Sequence, residues 1–192
     1  MAKADDFEKV EVASSAELRA WLQANYAQED SIWLVTYKKH MGEKYVSREE
    51  VLDEILCFGW IDGRRMKLDD DRTMQLIAPR KTQHWAKSYK DRVAKLEKQG
   101  RMHEAGRAVI EASKANGMWS FMDDVDALIV PDDLQQALDA NPPADTHFDN
   151  SAPSYKRNIL RWIKLAKTEK TRAKRIAKTT DFATRDEKIP QM

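Results

Sequence analysis

The sequence predicts an α+β fold, predominantly helical: a small antiparallel sheet of about three strands packed with helices, followed by a helical C-terminal half. Three observations carry that reading. Residues 31–38 are a run of β-branched and aromatic residues too short for a helix. From Ile61 the apolar period switches to two, turns at Asp69-Asp70-Asp71 and returns over residues 73–78, the pattern of a hairpin. Elsewhere the apolar residues recur at helical spacing, bounded by capping boxes, glycines and prolines.

Taken in order, Ser14-Ser15-Ala16-Glu17 is a capping box that opens a helix carrying Leu18, Trp21 and Leu22 to about residue 25. The strand at 31–38 follows, then a turn at Met41-Gly42-Glu43-Lys44. A second box, Ser47-Arg48-Glu49-Glu50, opens a helix with Val51, Leu52, Ile55 and Leu56 on one face, ending near Gly59. Gly59 and Gly63 predict a sharp turn into the hairpin's first strand. There Arg64, Met66 and Leu68 share one face, Arg65 and Lys67 the other. Pro79 ends the hairpin, because proline has no amide to give to a ladder.

Trp85, Tyr89, Val93 and Leu96 predict a helix closed by Gly100, and Ala105, Ala108, Val109 and Ala112 a second closed by Asn116-Gly117. Pro131 with Asp132 and Asp133 starts another, with Leu134, Ala137 and Leu138 facing inward. Asn141-Pro142-Pro143-Ala144 is a break. It divides the chain into a core at 1–140 and a basic helical segment at 141–192 packing on that core, one structural domain in all. Tyr155, Ile159, Trp162, Ile163 and Ala166 mark an amphipathic helix that runs on toward Lys178, with Thr168 as an alternative cap. Residues 179–192 read as a frayed tail.

Composition narrows the function classes. A chain of 192 residues fits one ordinary domain with a helical extension. The single cysteine excludes an internal disulfide framework and fits a reducing compartment. The first eight residues lack the apolar core of an export signal, and no apolar run approaches membrane-spanning length, so a cytoplasmic location is expected. The formal net charge of +1 hides an asymmetry. Residues 117–149 hold eight aspartates and no Lys or Arg, whereas 154–178 hold ten Lys or Arg against Glu169 alone. Such blocks either pair with each other or present two differently charged surfaces.

The most site-like chemistry runs from Cys57 to Leu68 and on through Arg80 to Trp85. Trp60, Asp62, Arg64, Arg65, Arg80 and Trp85 are the candidate ligand-binding residues. Arginine forks grip phosphate or carboxylate in two-point contacts, and an indole beside cations stacks on planar ligands. The same residues also fit a structural network in which Asp62 caps the Gly63 turn and pairs with an arginine, a common structural device, and the sequence leaves both readings open. A second function class, hydrolase or transferase, has Asp62 or His84 as its general base, with no catalytic residue assigned. Asp69-Asp70-Asp71 matches no calcium-loop spacing, and His40, His84, His103 and His147 lack metal-ligand spacing. No metal and no cofactor are expected. Cys57, ending an apolar helix face, reads as a buried, inert thiol. The basic C-terminal helix admits weak nucleic-acid binding, with the acidic block as its intramolecular cover.

Leu56-Cys57-Phe58-Gly59-Trp60-Ile61-Asp62-Gly63, followed by Pro79-Arg80-Lys81 and Trp85-Ala86-Lys87-Ser88-Tyr89, resembles the YdeI/OmpD-associated, or bacteriocin-protection, family of small bacterial proteins. Ala112-Ser113-Lys114-Ala115-Asn116-Gly117-Met118-Trp119 and Arg161-Trp162-Ile163-Lys164 extend the resemblance over roughly residues 15–178. It implies resistance to bacteriocins or antimicrobial peptides and brings no catalytic residue. Some members of the family carry Ser-x-Trp-Ser where this chain has Gln83-His84-Trp85-Ala86, so no shared hydroxyl is implied. Together these readings predict a cytoplasmic, non-enzymatic stress or resistance factor that binds a small anionic or planar ligand.

Overall fold

The two capping boxes start the first two helices. Ser14 Oγ accepts the Glu17 amide at 3.1 Å and begins α1 (Ser15–Asn25), while the Glu17 carboxylate accepts the amide of Ala13, one residue farther back than a reciprocal box. Ser47 and Glu50 close a full reciprocal box at the start of α2 (Arg48–Cys57). This computed structural model describes residues 7–190. The stretch before residue 7, read above for an export signal, and the last two residues of the tail lie outside the described residues.

Contacts divide the chain into two units, meeting at Ser120 and Phe121. The first holds the sheet: β1 (Lys9–Val12), β2 (Ile32–Tyr37), β3 (Trp60–Lys67) and β4 (Arg72–Pro79), in the order β1-β2-β4-β3. β3 and β4 form the predicted hairpin and β4 also pairs antiparallel with β2. The difference from expectation is β1, which pairs parallel with β2 and makes the sheet mixed and four-stranded. Its four residues are too few for the alternation to stand out. The segment read as a turn at 41–44 lies in a short 3₁₀ stretch, Lys39–Lys44.

One face of this sheet carries Val10, Val12, Ile32, Leu34, Trp60 and Ile77 into a core completed by Leu18, Leu22, Ile55 and Leu56. α3 (Lys87–Lys98) and α4 (Glu104–Ala115) close it with Val93, Leu96 and Ile110. Trp85 lies in the loop before α3 rather than on its stripe. Two glycines set the geometry at the end of α2. Gly59 has φ +76°, the left-handed conformation expected just past a helix end. Gly106 lies so close to α2 that an added Cβ would stand 2.2 Å from the Cys57 carbonyl oxygen. Gly63, by contrast, has an ordinary φ and sits within the strand rather than in a turn.

The second unit is helical: α5 (Asp123–Asp126), α6 (Asp132–Asp139), α7 (Ala144–Asp149), α8 (Pro153–Lys164) and α9 (Glu169–Thr184). The sequence missed α5 and α7, too short to show a period. Position 140/141, where the sequence placed a boundary, falls between α6 and α7, whose Leu134, Leu138, Ala144 and Phe148 share one core. The long C-terminal helix is two helices, because Thr168 Oγ1 accepts the Thr171 amide at 3.1 Å and restarts the chain as α9. α8 buries Ile159, Leu160 and Ile163 in this unit's own core, with Trp162 and Tyr155 half-buried at its margin. The expected frayed tail is ordered into that core as well, through Thr179, Thr180, Ala183 and Ile189.

Two stability outcomes follow. Gly106→Ala improves helix propensity by about 1 kcal/mol, but the intruded atom is backbone and cannot swing away. Overpacking at about 1–3 kcal/mol wins, and chemical denaturation should show net destabilisation. In α8, Ile163→Ala should cost about 2–5 kcal/mol, whereas the half-buried Trp162→Ala should cost less than that despite its larger side chain.

Candidate functional site

A bulge in β3 decides which candidate residues meet. Asp62 pairs opposite Ile77 and Arg65 opposite Gln75, rungs that share a face, so the irregularity between them absorbs the odd residue. Arg64 goes to the other face, where its guanidinium lies 5.3 Å over the Trp33 ring. Asp62 faces α3 and accepts two hydrogen bonds. Tyr89 Oη donates to Oδ1 at 2.5 Å, and Gln75 Nε2 donates to Oδ2 at 3.3 Å. Arg65, exposed, donates from Nη2 to Thr73 Oγ1 at 2.9 Å.

Beneath this pair lies Arg80, only 5% exposed. Its backbone amide extends the hairpin ladder by one bond to the Gly59 carbonyl. Its guanidinium stacks 3.9 Å from the centroid of Trp85 and 5.5 Å from that of Tyr89. Nη1 donates to the carbonyls of Gln83 and His84 at 3.3 and 3.2 Å, and Nε has no hydrogen-bond partner. Arg80 forms no ion pair among the described residues. Burial is therefore the main influence on its ionisation, pulling it down to about 10, while Tyr89 and Asp62 act in the opposite direction. Tyr89 is pushed up to about 12, by burial first and by its bond to Asp62 second.

The two indoles do something other than expected. Trp60 is 0% exposed and meets Trp21 edge-on at 5.6 Å. Trp85 is also 0% exposed, tilted against Trp119 at 5.0 Å. Neither ring presents a face to a ligand, and Trp85 spends one face on Arg80. The structure thus brings together Asp62, Arg80 and Trp85, directs Arg65 along the same sheet face to Thr73, leaves Trp60 as core, and sends Arg64 to the other face. It adds Tyr89 and Gln75, which the sequence concealed: Tyr89 reads as one more stripe residue of α3, and Gln75 as one polar residue of a strand.

Other candidates resolve simply. Asp69 accepts the amides of Asp71 and Arg72 and pairs with the Arg72 side chain, making the aspartate run a hairpin turn. Among the described residues no group of three or more His, Cys, Asp or Glu is placed to hold a metal ion. Cys57 is buried, and burial with the charge of Glu54 raises its thiol above the usual range.

Residues 10–109 match a domain of unknown function (DUF8412), and residues 127–185 match the family described as Bacteriocin-protection, YdeI or OmpD-Associated. The chain belongs to the first family, whose model spans just over half of it, and its helical unit carries the match to the YdeI/OmpD-associated family. The Trp60-to-Trp85 cluster falls wholly within the DUF8412 match, so the strings at 56–63 and 79–89 lie outside the bacteriocin-protection match. No curated protein and no solved structure matches the chain.

The Asp62–Tyr89 pair gives a titration test. Tyr89 holds its proton more tightly in the folded state than a free tyrosine does, at about pKa 10. Its contribution to stability is thus complete below about pH 10 and lost as pH rises toward about 12. Absorbance titration of the tyrosinates should show a late-ionising tyrosine that is lost in Tyr89→Phe, whereas the raised ionisation of Tyr37, which bonds Glu11, should persist. Asp62→Asn should lower that ionisation while leaving it above the free value, because the burial remains.

Proposed function

We propose that the chain is a cytoplasmic, non-catalytic binding protein of the bacteriocin-protection type, and that its sheet unit holds a small phosphate- or carboxylate-bearing anion at Arg80. The observation that carries this reading is the buried guanidinium with an idle Nε and no carboxylate partner. A charge removed from water costs several kcal/mol unless it is compensated, and two carbonyls and a ring face compensate it only in part. The locus is also cation-rich: Arg65 shares the face, and Arg48 is close enough to act electrostatically on Tyr89. The one acid there, Asp62, has both oxygens engaged by Tyr89 and Gln75. That same engagement weighs against Asp62 as the free general base of a hydrolase. Exposed Lys81, Thr82 and Gln83 follow Arg80 directly in the chain, and the Gln83 carbonyl accepts from Arg80 Nη1. The buried, lone cysteine is in keeping with a reducing compartment.

Thermal-shift measurements with orthophosphate, pyrophosphate and di- and tricarboxylates test the reading. A ligand at about 100 Kd should stabilise the fold by roughly 2.7 kcal/mol. Arg80→Met should abolish that gain while leaving the ligand-free protein as stable as before or more so, since replacing an uncompensated buried charge by an apolar group is often neutral or stabilising. If no anion stabilises the wild type, or if Arg80→Met keeps the effect, the reading fails.

A further inference from the structure

The second unit contains its own charge problem, and the way it is solved points to a surface. Four of the ten cations at 154–178 are answered by the aspartate block: Lys156 by Asp149, Arg157 by Asp126, Lys164 by Asp124 and Arg172 by Asp133. Arg175 donates to the Trp162 carbonyl and lies over the Trp162 ring. Lys167, Lys170, Lys174 and Lys178 are all exposed and have no ion pair or hydrogen bond among the described residues. The last three recur every four residues along α9, and Lys167 stands just before the helix. At 1.5 Å per residue they advance about 6 Å per step on one face. That face is opposite Ile176, Thr179, Thr180 and Ala183, which the unit's core has taken.

We infer that the row Lys167, Lys170, Lys174 and Lys178 is a docking surface for the phosphate backbone of double-stranded nucleic acid, read without regard to sequence. Charge complementarity and the straightness of the row carry the inference. A rigid line of regularly spaced positive charges fits a polyanion whose own charges are regularly spaced along a stiff rod. The residue type agrees: Arg172 and Arg175 of α9 and Arg185 just past its end, whose forks suit directional contacts, are spent on Asp133, the Trp162 carbonyl, and Asp181 with Glu187. What remains facing water is lysine, a point charge suited to phosphate without shape recognition. A lipid surface fits less well, because a helix lying in a membrane interface inserts its apolar face and here that face is buried in the unit itself. None of these residues belongs to the Arg80 locus, so the two proposals stand or fall separately.

The test is fluorescence anisotropy of the full chain with two labelled duplexes of unrelated sequence over roughly 30–200 mM salt. Each neutralised phosphate contributes about −0.9 to the slope of log K against log salt. The row predicts a slope of about −3 to −4, the same for both duplexes. Lys170→Ala and Lys174→Ala should each reduce it by about 1, and the quadruple Lys→Glu variant, with unchanged circular dichroism, should not bind. A slope near zero, full binding by the quadruple variant, or marked preference for one sequence overturns the inference. So does tighter binding to phosphatidylglycerol vesicles or to polyglutamate than to the duplexes, which would assign the row another partner.

Discussion

Where α4 crosses the end of α2, the two backbones touch. The Cys57 carbonyl accepts the His103 amide at 3.0 Å and sits where the Cβ of any residue but glycine at 106 would be. With that carbonyl held, Gly59 turns left-handed against Val109, and the chain enters β3 with Trp60 directed into the core. Asp62, two residues on, then emerges on the same face beside Tyr89. The candidate site is therefore placed by packing rather than by its own polar contacts. Fully burying Trp60 and closing the α2–α4 contact involve several kcal/mol, while a hydrogen bond such as Tyr89 to Asp62 contributes on the order of 1–3 kcal/mol net.

This hierarchy explains how much was legible in the sequence. Capping boxes, the hairpin and the apolar stripes are local signals, and each produced an element within a residue or two of its expected place. β1, α5 and α7 are too short to carry a period, and β1 is a strand only because β2 lies alongside to pair with it. The site was half legible. The faces of Arg64 to Lys67 follow the alternation, but the same alternation continued back to Asp62 would put it beside Arg64, and only the bulge separates them. The indoles at 60 and 85 sit next to cations in sequence, which signals stacking. Only the fold shows that both rings are fully buried.

The two family matches fall one in each unit, and they separate two chemistries that the sequence alone ran together. The range carrying the bacteriocin-protection description holds most of the aspartate-to-lysine charge pattern, with α6 to α9. The range carrying Arg80 is described by no activity at all. The family description of the helical unit and the anion proposed for the sheet unit thus concern different residues.

Within the sheet unit, the treatment of Arg80 contrasts with that of Arg19, Arg92 and Arg101, which meet the carboxylates of α2. Glu54, itself 5% exposed, is met by both Arg19 and Arg101, at 2.8 and 2.7 Å. Asp53 is met by Arg92 and Arg101, and Arg92 reaches Glu49 as well. These guanidiniums are less deeply buried than Arg80, and their carboxylate partners outweigh desolvation enough to raise their ionisation above the ordinary arginine value. Arg80 is the more buried cation and the one shifted downward, although Asp62 lies near enough to act on it. A purely structural arginine at this depth would gain most by turning to that carboxylate. Instead Asp62 is committed to Tyr89 and Gln75, while Arg80 faces carbonyls and ring faces and keeps Nε idle. The unit keeps the acid and the buried cation out of direct contact, so the guanidinium is compensated by two carbonyls, two ring faces and the nearby charge of Asp62 rather than by an ion pair.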